Sequence, residues 1–521
     1  MKILNHPLVV ALGVSTLCVP FLIGPFISPT HILVYHVSFP PFPLFASAAI
    51  YWGSLWLFFV VVLLVAEKFA RFRTVVWSGI ILFLPCIILA NCSLLKLWAV
   101  PLWLSVLVVV LPAGVFVGLF CMRRHTVRAV FDSVQDFTAT ILSFAALAGV
   151  AIILQFSWFA WQTRALNPAF IANSHSFVAP PGNNRPSKII WIVLDELSYQ
   201  QVYEQRFPGI DLPAFDGLAA QSTVFTHVIP AGIATEEVVP SLFTGLPIDR
   251  IQISSDGRLR SLHSPDSRGW QPFDPLNTIF QDARVAGYAT GAAGWFNPYC
   301  RILSQVLDRC FWTYRDSLIA FMQPDRISGE GILSSAYLLS SYLLRSSPFS
   351  LWHRGLHVDD YKDIRDAGDV LLADASVNFV FLHLPIPHPE GIYDRKRMMF
   401  ASGNASYLDN LVLADQYLAH ARLILERQHQ WDSSVVIVMG DHSWRTKLLF
   451  RGEAGWTQEE EQASHGGQFD DRPAYIVKMP FQHSADRIGT PFAAVHTRAL
   501  LDAILAKQLR SPRDLQTWSQ Q

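Results

Sequence analysis

Long apolar stretches dominate the first third of the chain. Five of them are each close to the roughly 20 residues that an α-helix needs to cross a hydrocarbon core about 30 Å thick. They run from Leu8 to Ile27, Phe45 to Ala66, Val75 to Cys92, Leu97 to Met122 and Phe137 to Phe159. This pattern predicts an N-terminal bundle of five transmembrane helices over residues 1–161.

Basic residues in the short connections predict the orientation of these helices. Lys2 precedes the first stretch, and further basic residues follow the second and fourth stretches: Lys68, Arg71, Arg73, Arg123, Arg124 and Arg128. Because Lys and Arg near membrane ends are retained on the cytoplasmic side, the N-terminus is predicted to be cytoplasmic and the chain after about residue 162 extracytoplasmic. The alternative is a cleaved signal peptide, but no clear small-x-small site follows the first apolar core.

Beyond residue 161 the apolar pattern changes. Residues 162–187 are rich in Pro, Asn and Ser, which is typical of a linker. Short apolar runs with β-branched residues follow, and such runs are typical of strands buried on both faces of a sheet. They are Lys188 to Leu194, Val377 to Leu382 and Ser434 to Met439, with a further candidate at Tyr475 to Lys478.

Helix-like segments separate these runs, for example Pro275 to Ala286 and Tyr407 to Arg427. Strands that alternate with helices predict an α/β domain with a mostly parallel sheet sandwiched by helices. We place this domain at residues 188–507 and a polar C-terminal tail at residues 508–521.

Charge and cysteine content narrow the classes of partner and compartment. The formal net charge is −1, and the basic residues form no dominant stripe, so the sequence makes no case for a nucleic-acid partner. Cys300 and Cys310 are the only cysteines beyond residue 161. Such a pair is a disulfide candidate in an oxidising compartment, and the alternative is two buried free thiols.

Polar side chains that can bind metal or phosphate directly follow the three strongest apolar runs. Asp195 and Glu196 follow the first run, His383 follows the second, and Asp441 with His442 follows the third. In parallel sheets the ligand site forms beyond the carboxyl ends of the strands. Paired carboxylates offer hard oxygen ligands for a divalent cation, and an imidazole can complete the same site. For an isolated Asp-Glu pair the alternative is a helix N-cap.

Two further motifs contain histidine. The sequence HLPIPH, from His383 to His388, holds two imidazoles five residues apart in a loop that proline stiffens. We expect His388 to touch substrate or metal, and also His383, whose alternative role is to cap the sheet. His465 stands in a Ser-His-Gly-Gly motif after an acidic loop, and the alternative there is a flexible surface loop.

The segment TEEVVPSLFTG, from Thr235 to Gly245, resembles the nucleophile segment of the alkaline phosphatase and sulfatase superfamily. In that superfamily a Cys, Ser or Thr at the first position attacks phosphorus or sulfur. Thr-Gly stands at the tenth and eleventh positions, as Thr244 and Gly245 do here. Sulfatases oxidise their Cys or Ser to an aldehyde, which a threonine cannot form, so Thr235 points to phosphoryl chemistry. With the strand-end residues, the resemblance covers about Lys188 to Lys507.

Within the superfamily, five spans before an outer domain resemble the membrane-bound lipid headgroup phosphotransferases, which include phosphoethanolamine transferases and lipoteichoic acid synthases. The resemblance implies one or two divalent ions of Zn, Mn or Mg. It implies metal ligands at Glu196, Thr235, Asp441 and His442, with Asp195 as an extra ligand. It also implies catalytic or phosphate-binding roles for His388 and His465, and we add His383 to the substrate-binding set.

The implied reaction moves a phospho-headgroup from a membrane phospholipid, through a phosphothreonine, to a glycan or lipid acceptor. The catalytic domain is expected on the periplasmic side of a bacterial inner membrane. The alternatives are a membrane-anchored phosphodiesterase or phosphomonoesterase, with water as acceptor, and a noncatalytic scaffold for envelope glycans. The sequence departs from the transferases where Leu197 follows the acidic pair and Ser443 follows Asp441-His442, which weakens the subfamily assignment more than the superfamily one.

Overall fold

The structure is a computed structural model that describes most of the chain in two compact units. The described residues are 6–18, 35, 42–94, 124–163, 187–254, 258–266, 269–314, 352–389, 391–401, 405–446 and 456–520. One unit contains the helices of the N-terminal third. The other contains Tyr35 together with the described residues from 187 onward.

The first unit contains helices α1 (Pro7–Cys18), α2 (Phe42–Lys68), α3 (Ala70–Leu94) and α4 (Arg124–Thr163). Within the described residues, two segments are long and apolar enough to cross a membrane, Ala48–Lys68 and Ala129–Leu154. The predicted bundle of five spans is therefore not confirmed. Its fourth span, at residues 97–122, lies outside the described residues.

Helix α1 packs directly against α4 within this unit. A Cβ atom at Gly13 would lie 1.9 Å from the backbone oxygen of Leu142, so the helices approach this closely because residue 13 has no side chain. Val10 and Leu142 belong to one buried cluster, which also includes Val60 of α2. These contacts join α1, at the start of the N-terminal third, to α4, at its end.

The second unit is built on one large sheet. In chain order the strands are β1 (Ile189–Leu194), β2 (Thr223–Phe225), β3 (Val228–Ile229), β4 (Arg250–Ile253), β5 (Leu259–His263), β6 (Trp270–Pro272), β7 (Thr290–Trp295), β8 (Arg309–Thr313), β9 (Phe379–Leu384), β10 (Tyr393–Asp394), β11 (Met399–Phe400), β12 (Val435–Gly440), β13 (Tyr475–Lys478), β14 (Asp486–Ile488) and β15 (Phe492–Ala493). The large sheet has the order β14-β2-β13-β12-β1-β9-β7-β8. Strands β12, β1, β9, β7 and β8 are parallel, whereas β13 is antiparallel to both neighbours. The predicted mostly parallel sheet is thus confirmed.

The helices of this unit are α5 (Pro213–Ala219), α6 (Thr235–Thr244), α7 (Ile279–Val285), α8 (Tyr299–Ile302), α9 (Trp352–Ala373), α10 (Tyr407–Arg427), α11 (Gln458–Ala463), α12 (Thr497–Leu505) and α13 (Pro512–Trp518). Helix α10 has the predicted bounds and begins with a capping box between Ser406 and Asp409. The predicted helix at 275–286 is divided, because Thr278 is extended between a 3₁₀ turn and α7.

Both faces of the sheet are buried, which explains the continuous apolar runs of the central strands. Trp191 and Val193 of β1 enter one hydrophobic core, together with side chains of α6, α7 and α12. Ile190 and Ile192 enter the other core, with side chains of α5, α9 and α10. The helices therefore lie on both faces, as predicted.

The described part of the predicted polar C-terminal tail is residues 508–520. It contains α13, which begins with a capping box between Ser511 and Asp514. Leu515 of this helix is fully buried in the same core as Trp191. Leu515 and Trp518 stand three residues apart, as on one face of a helix, but the segment is too short and too polar for this spacing alone to predict α13.

Candidate functional site

The sheet register brings the strand-end residues together. Leu194, the last residue of β1, pairs with Leu384 of β9 on one side and with Gly440 of β12 on the other. Asp195 and Asp441 each follow these paired positions, and His383 lies next to Leu384 in β9. The polar residues at the ends of β1, β9 and β12 therefore lie together at one edge of the sheet.

Thr235 is the first residue of α6, and its side chain is buried at this edge. Its hydroxyl donates a hydrogen bond to Oδ2 of Asp441 at 2.8 Å. Helix α6 ends at Thr244, and Gly245 caps it with φ +70°, a left-handed conformation that favours glycine. The Thr-Gly pair of the sequence motif therefore marks the end of the helix that Thr235 begins.

Asp441 is fully buried, but its surroundings favour the carboxylate. Burial opposes ionisation, whereas the imidazoles of His442 and His383 lower the pKa of Asp441, and so do two backbone N–H groups. These groups belong to Glu196, at 3.0 Å, and His442, at 2.8 Å, and both donate to Oδ1. The other oxygen, Oδ2, accepts from Thr235 and is thereby held against the hydroxyl.

Three imidazoles in the site are oriented in the same way. The Nδ1 atoms of His383, His388 and His442 lie 3.1, 2.7 and 3.2 Å from the carbonyl oxygens of Trp295, Pro389 and Ser443, respectively. A carbonyl oxygen only accepts, so each Nδ1 that donates to one carries a proton. Nδ1 of His383 also lies 2.6 Å from the Tyr299 hydroxyl, and Nε2 of His388 accepts from Arg445. In this tautomer, with the proton on Nδ1, a neutral imidazole can bind a metal through Nε2.

Buried atoms without partners test whether a metal fits the site. Both carboxylate oxygens of Asp195 and the Nε2 atoms of His383 and His442 are buried and have no hydrogen-bond partner among the described residues. Ligand atoms of Asp195, His383 and Asp441 lie within 4.8 Å of one another, and those of Asp195, Glu196 and His442 do so as well. Carboxylate oxygen and imidazole nitrogen suit a divalent cation. The residues present therefore fit one.

Burial and the neighbouring carboxylates shift the pKa values of the site residues. Burial raises the pKa of Asp195 well above its usual range, and the neighbouring Asp441 and Glu196 raise it further. Burial lowers the pKa of His383 to about 4, although Asp441 opposes this shift. His383 is therefore neutral near pH 7 and available as a ligand. A bound cation would offset the repulsion among the carboxylates.

Arg445 balances Glu196 in this structure. Its Nε donates to Oε1 of Glu196 at 2.7 Å, its backbone N–H donates to Oε2 at 3.1 Å, and its Nη2 also pairs with the carboxylate. Glu196 itself has φ +64°, an uncommon conformation for a non-glycine residue. Arg445 is not among the residues predicted from the sequence, where its only signal is a cation four residues after Asp441.

His388 lies beside this ion pair, in a loop with a cis peptide bond between Ile386 and Pro387. Its Nε2 is 3.4 Å from Nη2 of Arg445 and 3.9 Å from Oε1 of Glu196. Burial lowers the pKa of His388, and the positive charge of Arg445 lowers it too, while Glu196 raises it. The ring is thus a neutral imidazole next to the acidic residues.

Not every predicted residue joins this cluster. His465 is exposed, directly after α11, and belongs to neither group of potential metal ligands. Its assignment as a phosphate-binding residue stays a prediction. Cys300 and Cys310 are bonded to each other in a disulfide. Cys300 lies in α8, whose Tyr299 hydroxyl is 2.6 Å from Nδ1 of His383, and is not among the potential ligands.

One family model covers the part of the chain that contains the site. A family model described as Sulfatase matches residues 187–465. No curated protein matches the chain. Among solved structures, Ps i-CgsB in complex with k-i-k-neocarrahexaose is 16% identical, with 64% of this chain and 74% of that chain covered and a TM-score of 0.42.

Two further solved structures are similar to the chain. Phosphonate monoester hydrolase of Agrobacterium radiobacter is 12% identical, with 62% of this chain and 74% of that chain covered and a TM-score of 0.38. The lipoteichoic acid synthase LtaP from Listeria monocytogenes is 13% identical, with 64% and 75% covered and a TM-score of 0.36. The family model spans more than half of the 521 residues and includes all the residues of the site: Asp195, Glu196, Thr235, His383, His388, Asp441, His442 and Arg445. This protein is therefore an enzyme of the sulfatase family, within the alkaline phosphatase superfamily.

Proposed function

We propose that this enzyme is a metal-dependent phosphotransferase with Thr235 as its nucleophile. It takes a phospho-headgroup from a membrane phospholipid and passes it to a hydroxyl group of an envelope glycan or lipid. The observation that carries the proposal is the buried hydrogen bond from the Thr235 hydroxyl to Asp441. Beside it, the carboxylate oxygens of Asp195 and the Nε2 atoms of His383 and His442 have no hydrogen-bond partner among the described residues.

A threonine as the nucleophile favours phosphoryl transfer over sulfate ester cleavage. Threonine cannot be oxidised to the aldehyde that sulfatases use, so this chain needs a hydroxyl that attacks directly. A threonine hydroxyl is a weak nucleophile near pH 7 and must be activated. Its position at the start of α6 also places the incoming phosphoryl group near a helix N-terminus, which favours anions.

The residues divide into those that hold a cation and those that handle the hydroxyl groups. Asp195, Glu196, Asp441 and His442, with Thr235 and with His383 as an added ligand, would hold the divalent cation. When bound, that cation supplies a lowered hydroxyl pKa and neutralises charge on the phosphoryl oxygens. Asp441 orients the Thr235 hydroxyl through the 2.8 Å hydrogen bond.

The reaction has two balanced steps. In the first, the Thr235 oxygen forms a bond to phosphorus, the bond from phosphorus to the lipid oxygen breaks, and the proton of the Thr235 hydroxyl is transferred to the leaving lipid oxygen. In the second, the acceptor oxygen attacks phosphorus, the bond from phosphorus to Thr235 breaks, and the Thr235 oxygen takes up the proton that the acceptor hydroxyl loses. His388, which is neutral because burial lowers its pKa, accepts the proton of the acceptor hydroxyl.

A lipid donor and an envelope location are consistent with the N-terminal unit. Its two long apolar helices, Ala48–Lys68 and Ala129–Leu154, support membrane anchoring. The Cys300–Cys310 disulfide supports an oxidising compartment for the catalytic residues. We therefore propose a multi-pass protein of the bacterial inner membrane with a periplasmic catalytic domain.

Intact-mass measurement after exposure to a phospholipid mixture and a divalent metal tests the proposal. We expect a mass increment equal to a phospho-headgroup, located on residue 235 by peptide mapping. The nearly isosteric variant Thr235→Val, which lacks only the hydroxyl, should show no increment, and Thr235→Ser should show it on the new side chain.

The other outcomes separate the competing functions. Headgroup phosphate released into solution, with no modified acceptor, would identify a hydrolase that uses water. A wild-type protein without any adduct or turnover, and a Thr235→Val variant that retains the full cellular role, would favour a noncatalytic scaffold.

A further inference from the structure

Tyr35 is buried in the catalytic unit although it precedes the apolar helix α2 in sequence. Its relative exposure is 0%, and it belongs to the same hydrophobic core as Trp191 and Phe243. Tyr35 is the residue between 19 and 41 that the structure describes. In the sequence, this position lies in the connection between the first two apolar stretches, and no motif there predicts a role for it.

Polar contacts connect Tyr35 to the nucleophile helix. The Tyr35 hydroxyl donates to Oδ1 of Asn297 at 3.0 Å. The Nδ2 group of Asn297 in turn donates to the backbone oxygen of Thr235 at 3.2 Å. Asn297 is also fully buried, so the series from Tyr35 through Asn297 to Thr235 is shielded from water.

A second contact fixes the backbone at residue 35. Nη1 of Arg301 donates to the carbonyl oxygen of Tyr35 at 2.8 Å. Arg301 is 3% exposed and lies in α8, next to the disulfide-bonded Cys300. The chain at Tyr35 is therefore held both by its side chain and by its main chain.

The Tyr35 hydroxyl determines which end of the Asn297 amide faces the nucleophile. A side-chain amide has an oxygen that accepts and an NH₂ group that donates. Because the oxygen accepts from Tyr35, the NH₂ group points to the carbonyl of Thr235. Without the hydroxyl, the buried Oδ1 atom loses this donor, which favours rotation or displacement of the amide.

We propose that Tyr35 is a positioning residue for Thr235, and that residue 35, which lies between α1 and α2 in sequence, is consequently part of the catalytic apparatus. The proposal rests on the proposed function in taking Thr235 as the nucleophile. It adds that residues from 187 onward do not suffice for full activity, because the hydroxyl that orients Asn297 comes from residue 35. A displacement of the nucleophile of about 1 Å can slow a reaction by about a hundredfold.

The test compares full-length Tyr35→Phe with Tyr475→Phe. The control is matched because Tyr475 is also fully buried in the same core and its hydroxyl also makes a 3.0 Å bond, to Thr497. We expect Tyr35→Phe to slow formation of the residue 235 adduct by about tenfold or more, with an unchanged KM for the lipid. Tyr475→Phe should change the rate less than about twofold, although it loses an equivalent buried hydrogen bond.

Hydrogen exchange provides a readout that needs no substrate. Amides at the start of α6 should exchange faster in Tyr35→Phe than in wild type or Tyr475→Phe. Asn297→Ala should reproduce the effect and provides the second variant if Tyr35→Phe does not fold. Adding Tyr35→Phe to Asn297→Ala should cause little further loss, because both remove one series of contacts.

These readouts distinguish the two proposals. If the wild type forms no adduct, but the amides of α6 exchange faster in Tyr35→Phe than in the wild type, the positioning role is supported and the proposed function is rejected. An adduct that forms at the same rate in Tyr35→Phe and Tyr475→Phe, with equal exchange at α6, would overturn the positioning role alone. Asn297→Ala with wild-type exchange and rate would overturn it as well.

Discussion

At the residue scale, the arginine next to the acidic cluster supplies charge that a metal would otherwise supply. Arg445 pairs with buried Glu196, whose side chain is 0% exposed. Removing one partner of a buried ion pair typically costs about 3 kcal/mol or more, because the remaining charge is buried alone. Arg445→Met should therefore lower the stability of the metal-free protein by about this amount.

The same substitution should increase the response to metal. In Arg445→Met a divalent cation would neutralise Glu196, so adding Mn²⁺ should raise the melting temperature more than in wild type. Arg395→Met is the matched control, since Arg395 is similarly buried and pairs with Asp409 at 2.6 Å outside the site. Equal metal responses of the two variants in thermal unfolding would contradict the prediction.

The sequence identified the strand-end residues of the site but not the residues that support them. Asp195 and Asp441 were predictable because parallel strands end at one edge of a sheet, so residues far apart in the chain meet there. Arg445 and Tyr35 were not, because their roles depend on the reach of a side chain and on a fold in which residue 35 contacts residue 297. No local pattern encodes such contacts.

At the scale of elements, the disulfide joins α8 to β8 next to the site. Cys300 and Cys310 are separated by 10 residues, and closing a loop of this size stabilises the folded state by about 3 kcal/mol in the chain-entropy model. The double variant Cys300→Ala/Cys310→Ala should lose about 2–3 kcal/mol in free energy of unfolding, measured by denaturant titration. Reductant should destabilise wild type to the same extent and leave the variant unchanged.

A buried lysine makes the end of β13 sensitive to pH. Nζ of Lys478 donates to the carbonyl oxygens of Trp431 and Asp432, at 3.0 and 3.2 Å. Burial lowers the pKa of Lys478 from 10.5 to about 8, although Asp432 opposes the shift. Between these two values the unfolded chain binds more protons than the folded protein. The contribution of Lys478 to the free energy of unfolding therefore rises with pH across this window.

Replacing this lysine should remove that dependence. We expect Lys478→Met to flatten the rise in unfolding free energy between about pH 8 and about pH 10, relative to wild type. The exposed Lys507 provides the control, because Lys507→Met should leave the slope unchanged. Identical slopes for wild type and Lys478→Met would show that the side chain keeps its ordinary pKa in the folded protein.

Strand β7 shows why some elements escape sequence-based prediction. Its sequence, TGAAGW from Thr290 to Trp295, lacks the β-branched run of β1, yet every residue is buried. A Cβ atom at Gly294 would lie 2.3 Å from the ring of Tyr299, and one at Gly291 would lie 2.8 Å from Val377. Small residues are needed where neighbours pack this closely, and they remove the hydrophobic signal by which strands are recognised.

At the scale of the whole molecule, the predicted α/β class is confirmed, whereas the predicted membrane bundle is only partly represented. The catalytic fold could be predicted because both faces of its sheet are buried and its strands are therefore continuously apolar. Apolar length alone does not determine how many helices cross a membrane, since buried core helices share that composition. The described residues include two helices that meet the requirement.

Orientation across the membrane is the last prediction, and single cysteines can test it. The native cysteines should contribute little labelling. Cys300 and Cys310 are bonded to each other, and the other four cysteines lie in or next to the apolar stretches. Val285 is 79% exposed in the catalytic unit, and Arg71 is exposed at the start of α3. In cells with a permeabilised outer membrane, a membrane-impermeant maleimide should label Val285→Cys without lysis. Because basic residues near membrane ends stay cytoplasmic, Arg71→Cys should react only after lysis, and the reverse pattern would invert the proposed topology.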